Sequence, residues 1–153
     1  MHTCYQLIGV PGSGKSTWIL NQAWTQNCVI VSTDNHVENF ARESNKTYNE
    51  VFKEFMPIAV SLMAQDVTLA RAEGKDIIWD QTSTTKESRG RKFKMLPNYK
   101  HIAVVFKTPP KEELIKRLAS RPSKNISWDS ISNMINNFQM PSKEEGFDEI
   151  WYT

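Results

Sequence analysis

One octapeptide, Gly9-Val10-Pro11-Gly12-Ser13-Gly14-Lys15-Ser16, constrains this 153-residue chain more than any other feature. It has the form G-x-x-x-x-G-K-[ST], and both flanks suit it. Cys4-Tyr5-Gln6-Leu7-Ile8 before it reads as a buried strand, and Thr17-Trp18-Ile19-Leu20 after it reads as the opening of a helix. Glycines in such a turn let backbone N–H groups approach phosphate oxygens with no Cβ in the way. The helix that begins there adds the positive end of its dipole. Lys15 is placed to reach β- and γ-phosphates and the Ser16 hydroxyl to ligate Mg²⁺. Gly9, Pro11, Gly12, Ser13, Gly14, Lys15, Ser16 and Thr17 are therefore the expected phosphate-binding residues, with ATP and Mg²⁺ as the expected ligands.

The rest of the chain alternates short apolar runs with longer helical periodicities. Strands are predicted at 4–9, 28–32, 76–80, 101–107 and 148–152, and helices at 15–25, 34–42, 48–73, 85–96, 111–121 and 128–139. Pro57 inside the longest helix is expected to kink or divide it, and Gly74 to end it. Pro109-Pro110 followed by Glu112 and Glu113 reads as a helix start, and Ser127 as an N-cap. This alternation means a five-stranded parallel sheet with helices on both faces and ligands at the carboxyl ends of the strands. No linker interrupts the pattern, so residues 1–153 are expected to be a single domain.

Composition excludes several classes. Hydrophobic residues make up 39% and charged residues 24%, with a mean hydropathy of −0.52. The chain has no apolar run near the ~18 residues of a membrane span, and its N-terminus has no signal-peptide pattern. Cys4 and Cys28 are too few for a disulfide framework. The expectation is a soluble cytoplasmic domain that does not engage membranes. Nineteen Lys and Arg against seventeen Asp and Glu give a net charge of only +2, so any polyanion must be held by a local patch.

Asp34 follows the second strand and Asp80 ends the third, both at the edge that carries the glycine-rich loop. Asp34 suits either polarisation of an attacking hydroxyl or the capping of the next helix. Asp80 suits Mg²⁺ held through water, the acceptor side, or the orientation of Thr82. Arg117 and Arg121, four residues apart on one helix face, precede a Pro122 break and read as a lid over the transferring group. Lys86, Arg89, Arg91, Lys92, Lys94 and Lys100 place six cations in fifteen residues, either a polyanion site or a solvated helix. Guanine-nucleotide switch motifs are missing: Asn45-Lys46-Thr47-Tyr48 lacks the required Asp, and Asp80-Gln81-Thr82-Ser83 lacks the glycine. The histidines form no ligand spacing, and the five tryptophans read as packing residues.

Over 9–18, 31–34, 77–82, 114–121 and 141–149 the chain resembles the phage-type polynucleotide 5′-hydroxyl kinases. The resemblance implies a P-loop kinase three-layer sandwich with a helical lid at about 117–127, and transfer of the ATP γ-phosphate to the 5′-OH end of DNA or RNA. By position it makes Asp34 the general base, Lys15 and Ser16 the ligands of ATP phosphates and Mg²⁺, and Arg121 the lid arginine. Asp80 falls on the acceptor side, and a phage-encoded kinase would act in the host cytoplasm. One position departs from the pattern. The family carries an acceptor-phosphate arginine three residues beyond its catalytic Asp, where this chain has Val37; Arg42 or the 86–94 cluster, Arg89 included, is the expected substitute. With no Asp-x-Asp-x-Thr motif, no phosphatase activity is expected. Two other readings share the loop: a kinase of a small alcohol or nucleoside, and an ATPase module without an acceptor.

Overall fold

A computed structural model describes residues 1–121 and 124–153. Five strands, β1 (Thr3–Ile8), β2 (Val29–Val31), β3 (Ile77–Trp79), β4 (Lys100–Val105) and β5 (Glu149–Tyr152), form one sheet in the order β2-β3-β1-β4-β5. Every pairing is parallel, with Cys4 opposite Ile77 on one side of β1 and His101 on the other. The described helices are α1 (Lys15–Asn21), α2 (Thr33–Glu43), α3 (Tyr48–Ala72), α4 (Lys86–Met95), α5 (Lys111–Ala119) and α6 (Trp128–Asn136).

The strands lack polar alternation because both faces are covered. Neighbours Ile77 and Ile78 on β3 point in opposite directions and are both fully buried. Ile77 packs with Cys4, Val31, Met63, Val67 and Ala70, which brings α3 against one face. Ile78 packs with Leu7, Ile19, Ile102 and Val104, which brings α1 against the other. The result is the expected α/β sandwich of helices on both faces of a five-stranded parallel sheet.

Local rules account for where the helices start and stop, and for the departures from expectation. Rather than one helix over 15–25, α1 stops at Asn21 and a 3-10 turn spans Ala23–Asn27. The Thr25 hydroxyl donates to the Ile19 and Gln22 carbonyls at 2.8 and 2.7 Å and satisfies the helix end. Pro57 does not divide α3, which runs through it as one helix of 25 residues. Pro57 and Lys53 are both exposed, so water meets the carbonyl that the proline leaves without a donor. Gly74, at φ 64°, ends that helix as expected. Ser32 caps α2, its hydroxyl accepting from Asn35 N at 3.3 Å. Asp34 thus lies in the first turn, relieved of the capping role. Ser127 caps α6 as predicted, while α5 ends at Ala119 and α6 at Asn136, each short of its predicted end. No helix among the described residues is long and apolar enough to cross a membrane.

Candidate functional site

Parallel strands deliver their carboxyl ends to one edge, and the expected residues gather there. The loop after β1 is shaped by glycine. Gly12 and Gly14 have φ of 83° and 102°, and Gly14 caps α1. A Cβ on Gly9 would lie 2.5 Å from Ser13 Oγ and 2.9 Å from Phe106 Cβ. The loop is tied to the segment after β3 by Gly9 N–H, which donates to the Thr82 carbonyl at 3.0 Å. That places Thr82 against the loop through its backbone. Ser13 Oγ is buried with no protein partner, a polar group suited to a phosphate oxygen.

The Lys15 ammonium arches over its own loop, donating to the Gly9 and Val10 carbonyls at 2.7 and 3.0 Å. Burial pushes its pKa down to about 8, and the charges of Asp80 and Asp34 oppose that shift while Arg121 adds to it. These four predicted residues therefore share one electrostatic site. A cleft of about 640 Å³ opens beside the loop, walled by Gly12, Lys15, Ser16, Thr17, Arg117 and Arg121. Pro11 is half-buried within the same loop. Arg117 holds the loop directly, donating to the Gly12 carbonyl at 2.9 Å and to Glu113 at 2.6 Å. Arg121 lies two residues past the end of α5. Pro122 and Ser123, which the lid reading also covered, are outside the described residues.

Loop, lysine and orphaned hydroxyl fit nucleotide phosphates. Ser16 is exposed in the first turn of α1, where its hydroxyl fits Mg²⁺. Among the described residues no cluster of three His, Cys, Asp or Glu side chains forms a protein-only metal cage. Magnesium ordinarily shares its ligands with substrate phosphates, and a hydroxyl beside the phosphate loop meets that demand.

Asp34 is reached from two sides that the sequence reading missed. Its Oδ1 accepts from the Tyr48 hydroxyl at 2.6 Å, and its Oδ2 from Lys124 Nζ at 3.0 Å. Lys124 also meets Glu38 at 3.4 Å and lies 4.5 Å above the Tyr48 ring. The i, i+4 spacing of Asp34 and Glu38 on α2 was the available signal for a shared cation. Nothing in the motif pattern pointed to Tyr48. Asp80, at the end of β3, has its pKa raised chiefly by burial, with the charge of Lys15 acting against the shift.

The acceptor-side expectation for Arg89 is corrected. Its side chain is 0% exposed, and it donates to both Glu145 oxygens at 2.9 and 3.2 Å and to the Ser83 carbonyl at 2.9 Å. With its side chain fully buried and three of its five N–H groups held by Glu145 and Ser83, this guanidinium is shut away from an acceptor's phosphate. The basic stretch around it also disperses. Lys92 is buried, Arg91 pairs with Glu87 at 3.5 Å, and Lys100 pairs with Glu149. Lys86 and Lys94 are the exposed members without an ion pair among the described residues. Val37 is fully buried between α2 and α3 with Ala41, Val51 and Ala59, so a hydrophobic contact stands at the position of the family arginine. Arg89→Met keeps the volume and strands Glu145, and breaking such a buried pair is expected to cost about 3 kcal/mol. Urea unfolding measures this; unchanged stability with lost turnover would return Arg89 to the acceptor.

Solved structures share the architecture. A candidate kinase from Chloroflexus aurantiacus superposes with a TM-score of 0.71 at 15% identity, over 99% of this chain and 84% of that one. A chain of the Pnkp1/Rnl/Hen1 RNA repair complex gives 0.68 at 22% identity, over 89% of this chain and 43% of that one. Shikimate kinase from Acinetobacter baumannii, in complex with shikimate, gives 0.56 at 13% identity, over 100% and 84%. This chain thus spans less than half the length of the RNA repair protein, and at these identities the likeness is one of fold. Residues 5–141, from the first strand through the last described helix, match the AAA domain family (AAA_33), and the chain belongs to that family, built on a P-loop kinase fold.

Proposed function

We propose that the chain transfers the γ-phosphate of ATP to the 5′-hydroxyl of a polynucleotide. The observation that carries phosphoryl transfer is the convergence on one strand edge of the phosphate loop with Lys15, the Asp34 carboxylate and the arginines of α5 and its exit. Loop N–H groups and Lys15 hold the β- and γ-phosphates. Mg²⁺, held by Ser16 with Asp80 reaching it through water, would neutralise charge on those oxygens. Asp34 orients the acceptor hydroxyl and takes its proton as the oxygen bonds to the γ-phosphorus and the bond to ADP breaks. Arg121 covers the charge on the transferring group. Little covalent work falls to the protein, and the rate comes from positioning and electrostatics.

The nucleic-acid acceptor is supported by motifs matched in order along the chain and by the RNA repair neighbour. A second reading, transfer to a small alcohol or nucleoside, is favoured by the burial of Arg89, Lys92 and Val37, which thins the cationic acceptor side. Labelled γ-phosphate offered with 5′-OH DNA, 5′-OH RNA, a nucleoside 3′-monophosphate, nucleosides and simple alcohols separates the two. Labelled oligonucleotide is the expected product, and label on alcohols alone would sink the polynucleotide reading. Salt gives a second measure. Two or three phosphate contacts predict a slope of log K against log[salt] between about −1.4 and −2.1, at about −0.7 per contact for single strands. A neutral acceptor gives a slope near zero.

A further inference from the structure

We propose that Tyr48 is a positioning residue for phosphoryl transfer, acting with Lys124 to fix the Asp34 carboxylate towards the incoming hydroxyl; this rests on the reading of Asp34 given above. Asp34 is half-exposed, at 49%, and lies in the first turn of a helix that Ser32 already caps. Left alone, its side chain would sample several rotamers in water. Instead each oxygen has its own donor: the Tyr48 hydroxyl at 2.6 Å on Oδ1 and the Lys124 ammonium at 3.0 Å on Oδ2. Two donors on two oxygens set the plane of the carboxylate, and each oxygen keeps a lone pair for a hydroxyl proton.

The donors are themselves held. Tyr48 is the first residue of α3, immediately after a Thr47/Glu50 capping box that fixes the start of that helix. Tyr48 is 9% exposed, buried with Val37, Ala41 and Val51 in the seam between α2 and α3. Burial raises the phenol pKa, and the bond to Asp34 raises it further, so the hydroxyl stays a donor. Lys124 lies over the same ring, and its side chain is 12% exposed. Asn49, the next residue of α3, exchanges hydrogen bonds of 3.3 and 3.2 Å with the Asn125 backbone and so fastens the segment that carries Lys124. Tyr48 is therefore where α2, α3 and the segment beyond α5 meet at the candidate base. A purely packing role would need the ring and not the hydroxyl.

Tyr48→Phe removes the donor and keeps the ring, both as core and as the surface under Lys124. Turnover is read as transfer to the best acceptor and, without acceptor, as ATP hydrolysis by water. The expected result is a tenfold fall in kcat with the KM for ATP and the unfolding midpoint little changed. In an Asp34→Asn background the same substitution should cost less than twofold, because its effect passes through the carboxylate. Wild-type kcat in Tyr48→Phe, an undiminished tenfold loss in the Asp34→Asn background, or a loss matched by weaker ATP binding or lower stability would each overturn the proposal. Asp34→Asn alone keeps the two readings apart. If it retains wild-type turnover, the base assignment itself fails; if it is inactive while Tyr48→Phe is normal, only the positioning role fails.

Discussion

Asp34→Asn is expected to lower kcat about 10²–10⁴-fold, the range a positioned general base contributes, and to leave ATP affinity nearly unchanged. Asparagine preserves the shape of the side chain and can still accept from the Tyr48 hydroxyl. It has no negative charge to offer Lys124 and no capacity to take up the hydroxyl proton. The groups expected to hold nucleotide lie elsewhere, in the loop after β1 and on Arg117 and Arg121, so nucleotide binding should not register the change. Stability should register little as well, since Lys124 keeps Glu38 as a partner. Steady-state turnover with a parallel ATP titration measures both quantities. A variant with wild-type kcat would remove Asp34 from the chemistry.

Lys15→Ala is expected to lower transfer about 10²–10³-fold, the scale on which loss of one preorganised charge-stabilising group acts, and to weaken ATP binding as well. Lysine is the one side chain of the loop that carries full charge to the phosphates. The ammonium fits a narrow place, 2.7 and 3.0 Å from two carbonyls of its own loop. A planar guanidinium cannot occupy that position, so Lys15→Arg should rescue poorly. The stability of the free protein should move in the other direction. Burial holds the Lys15 pKa down to about 8, so folding disfavours the charged form, and removing the group relieves that cost. The unfolding midpoint of Lys15→Ala should therefore match or exceed wild type. A large fall in midpoint would show that its carbonyl contacts outweigh the burial of its charge.

The parts of the site legible in the sequence were those whose chemistry depends on local spacing. Gly9, Gly12, Gly14, Lys15 and Ser16 lie within eight residues, and a backbone turn that must admit phosphates leaves few residue types possible. Asp34 and Asp80 were legible because a parallel sheet puts the end of every strand at one edge. Arg89 misled for an equally physical reason: a cation beside an active edge reads the same in sequence whether it faces an acceptor or a carboxylate. Its partner, Glu145, lies 56 residues away, beyond the reach of any periodicity. Pro57 misled because the cost of a proline in a helix depends on whether water can meet the freed carbonyl.

By itself the sequence determined the strand–loop–helix suited to phosphate, the five strands and their parallel arrangement, and the two aspartates at their ends. These follow from period, turn chemistry and handed crossovers, all of which act between near neighbours. Only the tertiary structure decided which charges are spent inside the protein and which are left for a ligand. It buried Arg89 and Lys92, and it brought Tyr48 and Lys124, 14 and 90 residues away along the chain, onto the two oxygens of Asp34. Side-chain pairing across such distances is fixed by how helices pack on the sheet; the local Asp34/Glu38 spacing signals a shared cation but does not encode which residue supplies it.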